Sequence, residues 1–467
     1  MMRHRRVVFF SLLAGLTLFP GEAAAATIRV TSLSALQNAL NSANPGDRIE
    51  LADGSYNATS AIQIRRSGTS SAPITVTAAN TGRAEIRGST GFSFAGGVNN
   101  VVLQGFNLRH GGSLSVPADA HHIRLTRNTV QLSGGGNWVT INGNDVEVDR
   151  NSFQNRSSEG VFLQISGPSD NVAKRTRIHR NYFYNHTFSG ANGGESIRLG
   201  YSHKQSYSAN AVVEYNLFER ANGDSEAISV KSSDNIVRYN TIRDSRGFIV
   251  LRHGNRSTVD GNVIFGNSGI RFHGNDHRVI NNYVAASGGR AIVFGSGSEA
   301  DSPPTSTGHD RPDRVTVAFN TVQGTTEVID SDGGNFKPKD CVVANNIIVG
   351  TSGKLLNMAS GSTVRYEGNI TWGSSNSGIP AGGYRQVDPK LVRDANGLNR
   401  LSTGSPAIDA AAGTYSYVTT DFDPPQARSG RLDPVRPSPA RAFRTRQRAR
   451  RACGSGANPA GTQCQPS

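Results

Sequence analysis

The sequence has few cysteines, few aromatic residues and, after Pro20, no long hydrophobic run. Three cysteines, Cys341, Cys453 and Cys464, are too few for a disulfide framework, and their spacing matches no metal site. Cys453 and Cys464 could pair with each other, whereas we expect Cys341 to pack as a small buried apolar residue. Because no later stretch is apolar enough to cross a bilayer, no membrane insertion of the body is expected.

The N-terminal segment 1–26 has the layout of a secretory signal peptide. A basic stretch with Arg3, Arg5 and Arg6 precedes an apolar run over 7–19, and the alanines at 23–26 offer a cleavage site. The cleavage site disfavours the alternatives, which are a membrane anchor or a buried N-terminal helix. We therefore predict that segment 1–26 is removed and that the protein is periplasmic or secreted.

Negative charge is scarce, since 49 lysines and arginines accompany 35 acidic residues and give a net charge of +14. The chain from Arg428 onward carries +8 of this charge, and segment 1–26 carries +2. The remaining +4 suits an anionic polymer bound in a local groove better than a nucleic acid. The segment 426–467 is rich in Arg, Pro and Ser and is predicted to be a disordered tail.

The body contains an internal repeat of short apolar segments, each followed by an asparagine. The ten asparagines are Asn128, Asn151, Asn181, Asn216, Asn240, Asn262, Asn282, Asn320, Asn346 and Asn369. Most neighbours have a similar spacing, and a short period of roughly 20–30 residues is typical of a solenoid of short strands. Asparagine tolerates the left-handed backbone region, so we predict that each marks a sharp bend and that the stacked amides bond along a ladder.

The residue types favour a parallel β-helix over other folds. Leucine-rich repeats have a similar period but need leucine at fixed offsets, whereas Val, Ile and Phe dominate here. Propeller blades are longer, and a β-sandwich would not repeat one asparagine-centred unit. We predict an all-β, right-handed parallel β-helix over residues 27–425. Leu33, Leu36 and Leu40 have helical spacing, which predicts a helix over 32–43 that caps the open N-terminal end.

The asparagine of each repeat also provides a reference point from which the positions of polar residues on successive coils can be compared. Lys231, Arg252 and Arg271 lie nine, ten and eleven residues before the asparagines of their own coils. Adjacent strands are about 4.8 Å apart, so such cations would repel one another unless an anion intervenes. The pattern predicts a column that binds a polyanion, and a chance column of exposed cations is the alternative. An insertion over 295–313 is expected to line one side of the groove.

Acidic residues accompany this column. Asp224 and Glu226 lie two residues apart, which places them on one side of a strand. With Asn192 on the preceding coil they would offer two carboxylates and an amide oxygen, which are ligands that suit Ca²⁺. Acidic pairs in turns are more often simply solvated, so the residues alone leave both interpretations open.

Five motifs together resemble polysaccharide lyase family 6, which contains alginate lyases and the dermatan-cleaving chondroitinase B. They are NGGESIRLG at 192–200, GDSEAISVKS at 223–232, LRHG at 251–254, GIRFHG at 269–274 and DHRVINNY at 276–283. The resemblance extends over residues 26–423, and the order and spacing of the motifs make it specific. It implies an alginate lyase that cleaves a 4-linked uronate polymer by β-elimination.

By motif position, the resemblance implies Lys231 as the catalytic base and Arg252 as the catalytic residue on the acid side. It implies Asn192, Asp224 and Glu226 as ligands of a Ca²⁺ cofactor. The family usually has Glu at the position of Asp224, and the shorter Asp side chain puts direct coordination there in question. Since guanidinium stays protonated, Arg252 would stabilise the leaving oxygen, and the source of the proton stays open.

Substrate contacts are implied for Arg271, His253 and His277. For the two histidines a structural hydrogen bond in a turn is the alternative. Arg198 could hold a uronate carboxylate with two hydrogen bonds or pair with Glu195.

Other functions explain fewer of the same candidate residues. A glycoside hydrolase needs two carboxylates beside the scissile bond, and Asp224 and Glu226 could serve, but Lys231 and Arg252 would then have no role. A dermatan or chondroitin lyase and a non-catalytic polysaccharide-binding solenoid are further alternatives. The sequence decides neither mannuronate against guluronate preference, nor endo against exo action, nor the number of subunits.

Overall fold

The computed structural model describes residues 25–419. The predicted tail, the two cysteines near the C-terminus and residues 1–24 of the predicted signal peptide lie outside this range. No helix between residues 25 and 419 is long and apolar enough to cross a membrane.

Each regular coil contributes one strand to each of three parallel sheets, which we call A, B and C in the order in which the chain enters them. Sheet A consists of Thr27–Val30, Arg48–Leu51, Ile74–Ala78, Asn99–Gln104, His121–Thr126, Glu147–Asp149, Arg177–His179, Val212–Glu214, Ile236–Arg238, Thr258–Asp260, Arg278–Ile280, Thr316–Ala318, Cys341–Ala344 and Val364–Glu367. Sheet B consists of Gly54–Ala58, Ala84–Gly88, Asn107–Leu108, Thr129–Val130, Ser152–Arg156, Tyr182–His186, Leu217–Ala221, Thr241–Ser245, Val263–Gly266, Tyr283–Ala286, Thr321–Gln323, Ile347–Val349, Asn369–Trp372 and Tyr384–Gln386. Sheet C consists of Leu114–Val116, Val139–Ile141, Leu163–Ile165, Ile197–Gly200, Glu226–Lys231, Phe248–His253, Ile270–Phe272, Ile292–Phe294, Ile329–Ser331 and Leu356–Asn357.

Four further strands form two small pairs. Ile62–Ile64 and Phe92–Phe94 are parallel and belong to the first coils, and Leu391–Arg393 and Asn399–Leu401 form an antiparallel pair after the last coil. A single turn of 3₁₀-helix covers Ser202–Lys204. The long parallel sheets confirm the predicted all-β, parallel β-helix architecture.

The predicted asparagine ladder is present at the bend between sheets A and B. The side-chain amide of each ladder asparagine, from Asn128 to Asn346, donates to the side-chain oxygen of the next one, at 2.9–3.1 Å. The same oxygen also accepts a hydrogen bond from the backbone N–H of the preceding asparagine. These bonds satisfy polar groups that the bend would otherwise bury without partners.

The backbone prediction for the bend is wrong by one residue. The left-handed conformation belongs to the residue before each ladder asparagine, for example Arg127, Arg180 and Tyr239, with φ of 55°, 55° and 56°. Asparagine is needed for its inward amide, and the sharp change of direction occurs one position earlier, where the side chain points outwards.

The interior is filled by side chains that repeat from coil to coil. Phe153, Phe183 and Phe218 pair in register in sheet B and stack with ring centroids 4.9 Å apart. This spacing is close to the distance between adjacent parallel strands, so equivalent inward positions can stack flat. Cys341 is buried as a free thiol, as predicted.

A helix over Leu33–Ser42 covers the first coil, as predicted. Ser32 is the N-cap, and its hydroxyl accepts a hydrogen bond from the backbone N–H of Ala35. Leu36 and Leu40 are buried, whereas Leu33 is partly buried and packs at the edge of the same core.

Candidate active site

The outer face of sheet C carries the predicted catalytic residues. Ile228 and Val230 belong to the hydrophobic core, so Lys231, which alternates with them, points outwards. Arg271 lies between the two core residues of its strand, Ile270–Phe272, and also points outwards.

The cations do not form the single column that counting from the repeat asparagines predicts. They are Lys231, Arg252 and Arg271. In the sheet register Arg271 is opposite Val250, whereas Lys231 is opposite His253. A register shift between the strands of Lys231 and His253 leaves Arg252 as an extra, unpaired residue of the ladder. Such bulges re-aim side chains and are common next to active sites. The column prediction is wrong because counting residues back from an asparagine cannot detect a bulge.

Lys231 is almost completely buried in a highly charged environment. Its Nζ lies 3.7 Å from Oε1 of Glu195, and only 7% of its side chain is exposed. Burial lowers the pKa of Lys231, and the nearby cations of Arg198 and Arg252 lower it further, whereas the carboxylates of Glu195 and Glu226 act in the opposite direction. The net result is an amine that loses its proton more easily than an ordinary lysine.

The two neighbouring acidic residues have different partners. Glu226 accepts a hydrogen bond from the guanidinium of Arg252 through Oε1, and its Oε2 is buried without a hydrogen-bond partner. Both oxygens of Asp224 accept hydrogen bonds from backbone N–H groups, from Gly194 at 2.9 Å and from Glu226 at 2.6 Å. Burial and the nearby carboxylate of Glu195 raise the pKa of Asp224 to about 6.

The predicted calcium ligands therefore suit a cation only in part. Asn192 is exposed, in the loop that precedes Glu195. Each oxygen of Asp224 accepts one hydrogen bond from a backbone amide and keeps a second lone pair. By contrast, Oε2 of Glu226 and both oxygens of Glu195 are buried acceptors without hydrogen bonds, which is where a hard cation would be favourable.

A second acidic group lies on sheet A. In the described part of the chain, Glu147, Asp149 and His179 are the one set of three His, Cys, Asp or Glu side chains with ligand atoms within 4.8 Å of one another. Arg124 bonds to both oxygens of Asp149 at 2.8 Å, and Nε2 of His179 lies 2.7 Å from Glu147. These contacts describe an ion-pair network, because the acidic oxygens of Asp149 already face guanidinium groups.

Arg271 belongs to an ion-pair group at the next coils. Asp332 bonds to both Arg271 and Arg290, and Asp330 lies 2.8 Å from Nε of Arg290. An anionic sugar that binds Arg271 would therefore compete with Asp332 for the same guanidinium.

The two predicted histidines have different surroundings. His277 is buried, its Nδ1 accepts a hydrogen bond from the backbone N–H of Ser257, and its Nε2 lies 2.7 Å from the carbonyl oxygen of His273. With both nitrogens bonded to backbone, His277 has the surroundings of the structural alternative. His253 lies opposite Lys231 in the sheet, and its Nδ1 lies 3.0 Å from the carbonyl oxygen of Gly308.

The insertion over 295–313 lines the groove, as the sequence suggests, and contributes a residue that sequence reasoning missed. His309 lines a depression of about 270 Å³ together with Glu226, Arg252 and Arg271. Its ring stacks on that of His273 at a centroid distance of 4.4 Å. Burial and the cations of Arg252 and Arg271 lower the pKa of His309, so its imidazole is neutral at pH 7. The proline-rich insertion was the only sequence signal for this contact.

Arg198 is held in place by neighbours on both sides. Its Nε donates to the side-chain oxygen of Gln164 at 2.7 Å and lies 3.6 Å from Oε1 of Glu195. Its guanidinium also lies over the ring of Tyr201, 5.7 Å from the centroid. The ion pair with Glu195, which the sequence left as one of two alternatives, is therefore present.

The fold and the groove define the class of protein: a parallel β-helix with a depression lined by cations on one sheet, suited to an anionic polymer. A family model described as Chondroitinase B matches residues 30–296, which is more than half of the 467 residues. The chain therefore belongs to the alginate lyase and chondroitinase B family, polysaccharide lyase family 6. A search of curated proteins found no match.

Solved structures of the same family are similar to this chain. The family 6 alginate lyase AlyGC has 25% sequence identity and a TM-score of 0.70, with 85% of this chain and 60% of AlyGC covered. A variant of AlyGC gives 25% identity and a TM-score of 0.72, with 81% and 55% covered. A mannuronic acid-specific family 6 lyase from human gut microbiota has 23% identity and a TM-score of 0.67, with 78% and 91% covered, and supports the fold alone. This chain spans between 55% and 60% of the length of the AlyGC structures.

Proposed function

We propose that this chain is a polysaccharide lyase that cleaves a 4-linked uronate polymer, alginate, by β-elimination. The observation that carries the proposal is a buried lysine, Lys231, on the strand of sheet C next to a bulged arginine, Arg252, which lines the groove. Membership of polysaccharide lyase family 6 supports the same reaction class.

Lys231 acts as the base. Its amine takes the proton from C5 of the uronate, the electron pair left at C5 forms the C4–C5 double bond, and the C4–O bond breaks. Water supplies the proton that the leaving oxygen takes up. A base must be neutral before it can accept a proton, and burial favours the neutral form of Lys231. Its position on the outer face of sheet C lets it meet a polymer that lies in the groove.

Arg252 stabilises the charge that develops on the leaving oxygen. Its guanidinium stays protonated, so it acts through charge and hydrogen bonds. In the structure it bonds to Glu226, which fixes its orientation beside the depression. The neutral imidazole of His309 lines the same depression and would contact a sugar hydroxyl there.

Arg198 and Arg271 hold carboxylates of sugars that are not adjacent in the polymer, because three strand spacings of about 4.8 Å separate the two arginines. Both lie in the same register column of sheet C, separated along the column by Ser229 and Val250. Two arginines spaced along the helix axis suit a polymer with one negative charge per residue. We leave His277 out of the substrate contacts and retain His253, whose ring adjoins that of His309 at 5.0 Å.

A divalent cation bound beside Glu226 would neutralise the uronate carboxylate and make the C5 proton more acidic. Calcium is our proposal for this ion. The unpartnered buried oxygens of Glu195 and Glu226 support a cation here.

A dermatan or chondroitin lyase is the second candidate, since the matching family model is described as Chondroitinase B. A glycoside hydrolase is disfavoured, because two carboxylates such as Asp224 and Glu226 would do its chemistry and Lys231 and Arg252 would then have no role. The alginate lyases among the similar structures favour alginate.

The test is the release of unsaturated sugar from alginate, pectate and dermatan sulfate, followed by ultraviolet absorbance. We expect absorbance with alginate and a loss of about 10²–10⁴-fold in kcat for Lys231→Ala, which is the usual contribution of a general base. The matched control is Lys174→Ala in a loop between sheets C and A, which should keep full activity.

Three other results would change the assignment. Absorbance with dermatan sulfate alone would identify the second candidate. Reducing ends without absorbance would indicate a hydrolase, and neither signal would indicate a binding protein. Full activity of Lys231→Ala would disprove the role of the base.

A further inference from the structure

Two long turns meet on the side of the groove where the chain passes from sheet C to sheet A. One covers 200–208, and the other is the insertion over 295–313. In sheet C, the strands of Lys231, Arg252 and Arg271 lie between the two strands from which these turns leave. Because adjacent strands are about 4.8 Å apart, the two turns together bridge roughly 19 Å along the groove.

A side-chain hydrogen bond joins the two turns. Nε2 of Gln205 donates to the carbonyl oxygen of Ser306 at 2.7 Å, and since a carbonyl can only accept, the amide nitrogen must face it. Gln205 is buried, and its own backbone carbonyl accepts a hydrogen bond from the hydroxyl of Ser233 at 2.7 Å. The amine of the adjacent Lys204 donates to the carbonyl oxygen of Asn171 at 2.7 Å, on the preceding coil. The turn that carries Gln205 is therefore itself held on both sides.

The contact with Gln205 lies close to the histidines beside the groove. The backbone N–H of Gly308 donates to the hydroxyl of Ser306 at 2.9 Å, and the carbonyl oxygen of Gly308 lies 3.0 Å from Nδ1 of His253. The next residue, His309, stacks on His273 at a centroid distance of 4.4 Å. The position of the His309 ring therefore depends on the short segment that begins at Ser306.

We propose that Gln205 is a positioning residue that holds His309 at the groove through its hydrogen bond to Ser306. The insertion is also bonded to the coil beneath it, where the backbone N–H of Gly274 donates to the carbonyl oxygen of Asp310 at 3.0 Å. Loss of the Gln205 contact should therefore loosen the segment around His309 without releasing the whole insertion. The effect on sugar binding rests on the proposed lyase function, whereas the joint between the two turns does not.

The first test replaces Gln205 by Met, which keeps the size of the side chain and removes the donor. We expect KM for alginate oligomers to rise by about three- to tenfold, the range expected for one lost hydrogen bond, with little change in kcat. The matched control is Gln37→Met on the capping helix. Nε2 of Gln37 donates to the carbonyl oxygen of Gln63 at 3.0 Å, away from the groove, so this variant should keep the wild-type KM.

A double-mutant cycle tests whether Gln205 acts through His309. His309→Ala should raise KM by at least as much as Gln205→Met does. The double variant should have the KM of His309→Ala alone, because the position of a histidine that is absent can no longer matter. A residue with only a general structural role would instead add its effect to that of His309→Ala.

Hydrogen exchange of the backbone amides over 298–310 provides a measurement that does not depend on activity. In the full-length protein we expect faster exchange in Gln205→Met than in the wild type, with the strands of sheet C protected as before. Gln205→Glu is used in the same way if Gln205→Met does not fold, since an ionised Glu offers acceptors only.

Three results would overturn the proposal: wild-type exchange over 298–310 in Gln205→Met, a wild-type KM in the same variant, or additive effects in the double variant. Faster exchange in a protein that cleaves no polymer would refute the proposed function and keep the joint between the turns. Cleavage of alginate with a KM that is independent of Gln205 would do the reverse.

Discussion

At the scale of single residues, the surroundings of Lys231 decide what its amine can do. A lysine on an exposed strand would be protonated at neutral pH and could bind only anions. Here burial lowers its pKa, and Arg198 and Arg252 contribute in the same direction. Its position beside a bulge thus gives Lys231 an amine that is easier to deprotonate, which is what the proposed role as base requires.

The pH dependence of the reaction follows from this shift. Since the neutral amine is the active form, kcat/KM should rise with pH through a pKa below the ordinary lysine value of 10.5. A bound divalent cation would lower the pKa of Lys231 further, and kcat/KM would still rise with pH. The measurement is kcat/KM on alginate oligomers between about pH 6 and 10. A kcat/KM that stays constant over this whole range would contradict the prediction.

Single residues also show where sequence reasoning reached its limit. Lys231 and Arg252 follow from the motif positions, and the structure brings both to sheet C. Glu195 was visible in the motif, but its burial without a hydrogen bond was not. The sequence suggested a substrate contact for both His253 and His277. Only the hydrogen bonds of the His277 ring to the backbone distinguish the two residues.

At the scale of elements, the asparagine ladder is the device that aligns the coils. Each ladder asparagine is bonded through its amide to the next one, so the bends between sheets A and B are held in line. Because sheet C follows the same coils, this alignment also places the groove residues over one another. The longer insertions of the repeat leave the ladder continuous, since they lie in loops away from the bend.

Substitution of one ladder residue should therefore be costly. Asn262→Ala removes the acceptor for the backbone and side-chain N–H groups of Asn240 and the donor to Val237, all buried. We expect a loss of roughly 3 kcal/mol in the free energy of unfolding, since each buried unpaired group costs about 1–3 kcal/mol.

The comparison uses chemical unfolding of Asn262→Ala and of Asn38→Ala, an exposed position on the capping helix. The control should change the free energy by less than about 0.5 kcal/mol. Equal stability of the two variants would show that the ladder contributes alignment without stability.

At the scale of the whole molecule, buried histidines make the fold sensitive to acid. Burial lowers the pKa of His110, His186 and His277 to about 4 from the usual 6.5. Between these values the unfolded chain binds protons that the folded chain does not, so stability falls as the pH falls from about 6.5 towards 4. Above pH 6.5 this contribution to the pH dependence vanishes.

We expect the free energy of unfolding to decrease between pH 7 and pH 4.5, with His277 alone costing on the order of 3 kcal/mol once the pH is below about 4. Denaturant unfolding at a series of pH values measures the slope. The exposed His122, replaced by Gln, should leave the slope unchanged. A free energy that stays constant over this range would contradict the prediction.

The sequence by itself determined the architecture and pointed to Lys231 and Arg252 as the proposed catalytic pair. The period of the asparagines and the Val, Ile and Phe pattern are local properties, so they are visible without coordinates. Only the tertiary structure decided the register of sheet C, the bulge at Arg252, the contact of His309 with the groove and the burial of Glu195 without a hydrogen bond. These features depend on which side chains meet across coils that are distant in sequence, and on whether a buried oxygen finds a donor there.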